Sequence, residues 1–228
     1  ELSIPHYFID VTAAFNDVII RPFRAAYAEG RTPNPCVDCN SILKFSLVWD
    51  RLEEEFGIAQ VATGHYAQVI HNGQTICLRR ATDKDKDQSY FLYGVPRQRL
   101  PSLLLPLGNL TKPQVRTLAA ELNLSVAAKA ESMELCFAGE QDYRVALESD
   151  SAHHPGDMTD MQGRKIGTHK GIANYTLGQR RGLGFAGGQP LYVGRIDAAN
   201  NTVALGTREQ VSTRLVRAGQ RNTLLPER

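Results

Sequence analysis

Ile42, Phe45, Trp49, Leu52 and Phe56 follow one another at intervals of three and four residues, the spacing that places apolar side chains on one face of a helix. Gly57 closes the run. Residues 58–64 then supply a compact strand of the buried type, with Gly64, His65 and Tyr66 where such a strand emerges into a loop. A helix that must bury one stripe, followed by a short buried strand, points to an α/β fold with a parallel sheet against which the helix packs. Upstream, residues 4–10 read as a short apolar strand. Phe15, Val18, Ile19, Phe23, Ala26 and Tyr27 form a second helical stripe that ends at Gly30, with Pro22 marking a kink or a restart. Downstream, residues 69–78 read as a hairpin about Asn72-Gly73. Thr111-Lys112-Pro113-Gln114 resembles a capping box, and Val115, Leu118, Ala119 and Leu122 form the stripe of the helix it opens.

After Asp150 the texture changes. Turns at Gln162-Gly163 and Asn200-Asn201 separate short alternating strands, including residues 191–196 and 202–205, which predicts a smaller β-rich domain from about residue 148 onward. A chain of 228 residues has room for two modest domains. Lys and Arg number 26 against 24 Asp and Glu, an excess of +2 that does not by itself announce a nucleic-acid partner. The distribution says more: residues 131–160 hold eight acidic residues and one arginine, whereas residues 164–184 hold five Lys or Arg and no acid. No apolar run exceeds four residues, against the roughly 20 of a membrane helix, so a membrane-spanning role is excluded. Four cysteines without a secretory leader predict a cytoplasmic protein with mostly reduced thiols.

Four segments carry candidate chemistry. Arg31-Thr32-Pro33-Asn34-Pro35-Cys36 is stiffened by two prolines that hold the residues before them extended. It runs into Cys36-Val37-Asp38-Cys39, whose spacing fits half a zinc site, a redox dithiol, a reactive thiol near a helix start, or a buried structural pair. Cys77 and Cys136 are isolated, and Cys136 sits among apolar neighbours as a core cysteine would. Lys84-Asp85-Lys86-Asp87-Gln88-Ser89 runs into the aromatic Tyr90-Phe91-Leu92-Tyr93; it is either a solvated charge run or a loop whose groups clamp phosphate and read base edges. In residues 175–184, Arg180 and Arg181 stand among three glycines. This suits a phosphate-backbone surface as well as it suits a plain solvated loop, with His169 and Lys170 adding to the basic character.

Taken in order, Gly30-Arg31-Thr32-Pro33-Asn34-Pro35-Cys36-Val37-Asp38-Cys39-Asn40, Lys44-Phe45, Ala62-Thr63-Gly64-His65-Tyr66-Ala67, Lys86-Asp87-Gln88-Ser89-Tyr90-Phe91-Leu92 and residues 132–137 and 175–184 resemble the tRNA-specific 2-thiouridylases over nearly the whole chain. The resemblance implies a parallel-sheet, Rossmann-like domain of the adenine nucleotide alpha hydrolase (ATP-pyrophosphatase) type over residues 1–147. A central β-rich tRNA-contacting domain over 148–212 and the start of a C-terminal β-barrel over 213–228 would follow.

It further implies that ATP, with Mg2+, adenylates the C2 oxygen of the wobble uridine of tRNA and that a cysteine persulfide then delivers sulfur to C2. Cys136 would carry the persulfide, and Cys39 would release the sulfur or form a disulfide with Cys136. Asn34, Pro35 and Cys36 match the segment that touches the target base, Lys86, Asp87 and Gln88 the tRNA-contacting loop, Gly64 an ATP contact and His65 a neighbouring site residue. The sulfur would come from a donor protein, a cysteine desulfurase or a sulfur-relay protein. No protein-bound metal is expected. Where some members of the family have an aspartate, this chain has Cys36, with Asp38 as a substitute proton carrier. The Ser-Gly-Gly-x-Asp-Ser loop that holds the ATP pyrophosphate in these enzymes does not occur in the sequence. The expectation is therefore a fragment that lacks ATP-dependent thiolation alone. Two other readings remain: a different ATP-pyrophosphatase, such as an amidotransferase-like synthetase or another tRNA thiolase, and a zinc-stabilised RNA-binding module whose cysteines only hold structure.

Overall fold

The computed structural model describes residues 4–73, 75–129, 135–138, 143–147, 154–185, 188–217, 219 and 222. In chain order the helices are α1 (Thr12–Phe15), α2 (Arg21–Ala28), α3 (Pro35–Asp38), α4 (Trp49–Phe56), α5 (Lys112–Glu121) and α6 (Arg208–Val211). The strands are β1 (Val61–Ala62), β2 (Ala67–Asn72), β3 (Thr75–Arg80), β4 (Leu103–Leu104), β5 (Gly156–Asp160), β6 (Lys165–His169), β7 (Tyr192–Asp197) and β8 (Thr202–Gly206). Two compact units emerge: unit 1 comprises Glu1–Ile19, Pro35–Glu131 and Gln220–Arg228, and unit 2 comprises Ile20–Asn34 and Ser132–Gly219. The expected boundary at residue 148 lies outside the described residues.

In unit 1 a π-wound stretch, Cys39–Val48, joins α3 to α4. That winding explains a departure from the sequence pattern. A wider turn puts residues four and five apart, rather than three and four, on one face. Asn40, Phe45 and Trp49 are accordingly buried, whereas Ile42 and Phe56 of the expected stripe are exposed. Phe45 and Trp49 pack with Ala67, Leu92, Val95, Leu100 and Leu103, so the helix does lie on strand residues. Truncating either ring in such a core costs about 3–5 kcal/mol. Gly57, at φ +66, stops α4 with its N–H on Glu53 O.

Strand β1 pairs in parallel with β4, Val61 opposite Leu103, and the β2–β3 hairpin turns at Asn72 and Gly73 as expected. Residues 4–10 form no strand, and Phe8 is exposed. The capping box at Thr111 is present, with Thr111 N–H donating to Gln114 Oε1 at 2.8 Å. Its helix α5 buries no residue, however, because periodicity reports a face and not what covers it.

Unit 2 is built on a four-stranded sheet in the order β6-β5-β8-β7, with β5 and β8 parallel and the other pairs antiparallel. Pro22 lies in the first turn of α2, directly after the π-wound Asn16–Ile20. Phe23 and Tyr27 of α2 pack with Met158, Val193, Val203 and Leu205 of the sheet. Among the described residues no helix is long and apolar enough to cross a membrane.

Candidate functional site

Three stretches far apart in sequence are tied together in unit 1. Pro35 is buried at the first position of α3, where its missing N–H costs nothing. Cys36 and Cys39, both half-buried, then fall three residues apart on one face of the helical run. All four cysteines are thiols outside any disulfide. Next to Cys39, the buried Asn40 donates from Nδ2 to Phe91 O at 3.2 Å, which fastens the helix to the segment carrying residues 86–92.

That segment is fastened in turn to the loop after β1. Gln88 N–H donates to Tyr66 O at 2.8 Å, and Tyr66 N–H donates to Gln88 Oε1 at 3.0 Å. Asp87 accepts from Ala81 N–H at 2.9 Å and from Ser89 Oγ at 2.9 Å. Both side chains therefore act first as fasteners. Lys86 is half-buried, with its N–H on Asp83 O at 3.3 Å. Gly64 lies exposed just past the carboxyl end of the parallel β1, where ligands of α/β sheets bind. His65 follows, its Nδ1 2.8 Å from Thr63 Oγ1 and its ring 5.9 Å from that of Phe45.

Burial, and then the charge of Lys44, push the His65 pKa down to about 4. His65 is thus a neutral imidazole at physiological pH, able to accept or donate one hydrogen bond. Partial burial raises the Asp38 carboxyl above its usual range. Asp87 moves the other way. Its burial works against ionisation, yet hydrogen bonds from Ala81 and Ser89 and the charge of Arg80 hold it below the usual carboxylate range.

Unit 2 holds the remaining candidates. Asn34 is half-buried at the end of the proline loop, and Thr32 Oγ1 donates to Thr176 Oγ1 at 3.1 Å, so this loop meets residues 175–184 within one unit. Arg180 and Arg181 are exposed there. Cys136 is exposed between Leu135 and Phe137, both partly buried on the unit 2 core, with Phe137 edge-on to Phe23 at 5.2 Å. Ser132, Met133 and Glu134 of its motif lie outside the described residues. Cys39 thus belongs to unit 1 and Cys136 to unit 2. The motifs include Thr63 and Asn40 but give them no role, since a lone Thr and Asn carry no pattern. Sequence reasoning also missed the internal tasks of Asp87 and Gln88. Among the described residues no three His, Cys, Asp or Glu side chains form a group that could hold a metal ion.

The family model described as the tRNA methyl transferase HUP domain matches residues 1–140, and that of the tRNA methyl transferase PRC-barrel domain matches residues 145–207. The chain is 44% identical over 230 residues to the tRNA-specific 2-thiouridylase MnmA of Pelotomaculum thermopropionicum, which covers 100% of the chain and 63% of that relative. Proteins of the same name from Synechococcus sp. (strain JA-3-3Ab), at 45% over 215 residues, and from Brucella ovis, at 43% over 220, cover 93% and 95% of the chain. The chain spans 58% and 54% of those two relatives' lengths.

Proposed function

Because the chain belongs to the tRNA methyl transferase HUP-domain family, we propose that it is part of a cytoplasmic tRNA uridine 2-sulfurtransferase, which replaces the C2 oxygen of the wobble uridine with sulfur using ATP. The observation that carries the reading is the fastening of the Cys39 helix, residues 64–66 and residues 86–88 into one cluster through the Asn40–Phe91 and Gln88–Tyr66 hydrogen bonds. The family description speaks of methyl transfer, and the relatives' names of 2-thiolation. A relative so named matches the whole length of the chain, so thiolation is the better reading.

ATP, when bound, supplies the adenylyl group that turns the C2 oxygen into a leaving group. Gly64 suits it, because an exposed backbone at the carboxyl end of a parallel strand lets a nucleotide approach closely. Mg2+ is read as the counter-ion of the ATP phosphates. Asn34, Pro35 and Cys36 flank the base, and neutral His65 offers it a hydrogen bond without a competing charge.

Cys136 bears the persulfide, loaded by a cysteine desulfurase or a sulfur-relay protein. Its outer sulfur bonds to C2 as the C2–O bond breaks and AMP departs. The Cys39 thiolate then attacks the Cys136 sulfur, the S–S bond to the base-bound sulfur breaks, and that sulfur stays on the base as the thione. Two electrons come from the two cysteines, which end as a disulfide that an external thiol reduces. Asp38, whose burial favours the protonated form, is the proton carrier beside Cys39.

The test is peptide mass spectrometry after incubation with a cysteine desulfurase and cysteine. A one-sulfur adduct is expected on Cys136 and not on a Cys136→Ser variant. A chain that takes up no sulfur on any thiol, while a control carrier is loaded, defeats the reading. Stoichiometric zinc whose removal unfolds the chain would favour the RNA-binding module instead.

A further inference from the structure

Unit 2 carries cations of two kinds. Arg164 Nε lies 2.6 Å from Asp160 Oδ2 and Lys165 Nζ lies 2.5 Å from Asp157 Oδ1, so the first cations of the acid-free stretch are already neutralised by the neighbouring strand. Arg31 is likewise paired with Glu29. Arg180 and Arg181 differ: both are exposed, and among the described residues neither has a carboxylate partner. An unpaired cation pair on a folded surface favours a polyanion, because its binding releases counter-ions.

The loop that presents them is firmly built. Gly178 N–H donates to Val193 O at 2.8 Å, and Val193 N–H donates to Gln179 O at 2.9 Å. Gln179 also accepts from Thr176 N–H at 2.9 Å and donates to Arg181 O at 2.9 Å, while Tyr175 OH donates to Leu183 O at 3.3 Å. Gly178, Gly182 and Gly184 make the turns at positive φ. The loop buries Tyr175 and Leu183 yet leaves Leu177 61% exposed, three residues from Arg180. The Thr32–Thr176 hydrogen bond sets the segment carrying Asn34 beside it.

We propose that Leu177 is an apolar platform for an unstacked base, with Arg180 and Arg181 holding the flanking phosphates, so that unit 2 reads a single-stranded RNA loop rather than a duplex. Bases in a duplex are already stacked, whereas loop bases turned outward need a hydrophobic or planar surface to cover them. The inference rests on the tRNA reading above and adds to it the residue that meets the base and the RNA shape preferred.

The chain is titrated with an unmodified tRNA transcript, with its anticodon stem-loop as a hairpin, and with a blunt RNA duplex of equal length. Leu177→Ala should weaken hairpin and tRNA binding at least about fivefold, leave the salt slope unchanged and spare duplex binding, with Leu177→Phe restoring affinity. Arg180→Gln with Arg181→Gln should lower the salt slope by about 1–2. Hairpin binding unchanged in Leu177→Ala, with the arginine variant still flattening the slope, overturns the role of Leu177 and leaves the tRNA reading standing. No RNA binding by the parent chain at low salt, or binding only of acidic proteins, overturns both.

Discussion

The loops at residues 83–89 in unit 1 and 176–184 in unit 2 differ in composition and are opposite in use. The first contains no glycine, and its side chains satisfy backbone donors. Asp83 accepts from Asp85 N–H at 3.1 Å and from Lys112 N–H at 2.8 Å, Asp87 accepts from Ala81, and Gln88 accepts from Tyr66. In the second, glycines at positive φ make the turns and one side chain, Gln179, completes the hydrogen bonding, which leaves Leu177, Arg180 and Arg181 facing solvent. A polar side chain is available to a ligand only when something else satisfies the backbone around it. Asp87 and Gln88 are therefore engaged with backbone groups, whereas the arginines of the second loop are left facing solvent.

Acid should strain the first region most. Burial and the charge of Lys44 hold His65 neutral, with its pKa down at about 4 against an unfolded value near 6.5. Between those values the unfolded chain binds more protons, so stability rises with pH through this window and is lost as pH falls, by up to about 3 kcal/mol. Denaturant melts of the parent and His65→Gln from pH 7 to pH 4 should converge as pH falls, the parent losing the larger share. Parallel curves would show that His65 is not held neutral by the fold. Next in size, Asp87→Ala removes the acceptor of the buried Ala81 N–H and should cost about 2 kcal/mol at pH 7, with Asp87→Asn losing about half as much. An Asp87→Ala melting point equal to the parent's would return Asp87 to the class of free ligand-binding carboxylates.

Legibility followed locality. The Asn72-Gly73 hairpin, the Thr111 capping box, the Gly57 stop and the strands of unit 2 depend on a few consecutive residues, and all were readable. The burial of the long helix was not, because its π-winding moves Ile42 off the core face and no local pattern signals that. The site showed the same split. The motifs marked the segments 34–39, 64–66 and 86–88, but the hydrogen bonds that join them cross 22 and 51 positions. The exposed Leu177 was hidden for a different reason: an isolated leucine reads as core until the loop around it is seen to bury Leu183 in its place.

The smallest effect makes the sharpest contrast between the loops. Gln179 holds two backbone groups of the second loop, so Gln179→Ala should lower stability by about 1 kcal/mol, much as an internal fastener of the first loop would. Arg180→Gln with Arg181→Gln removes two charges that no carboxylate among the described residues neutralises, and should change stability by less than about 0.5 kcal/mol. The pair of variants thus divides one loop into a residue that builds it and residues it displays, measured in the same urea melt. Should the arginine variant prove as destabilised as Gln179→Ala, the arginines belong to the fold, and both loops would use their polar side chains inward.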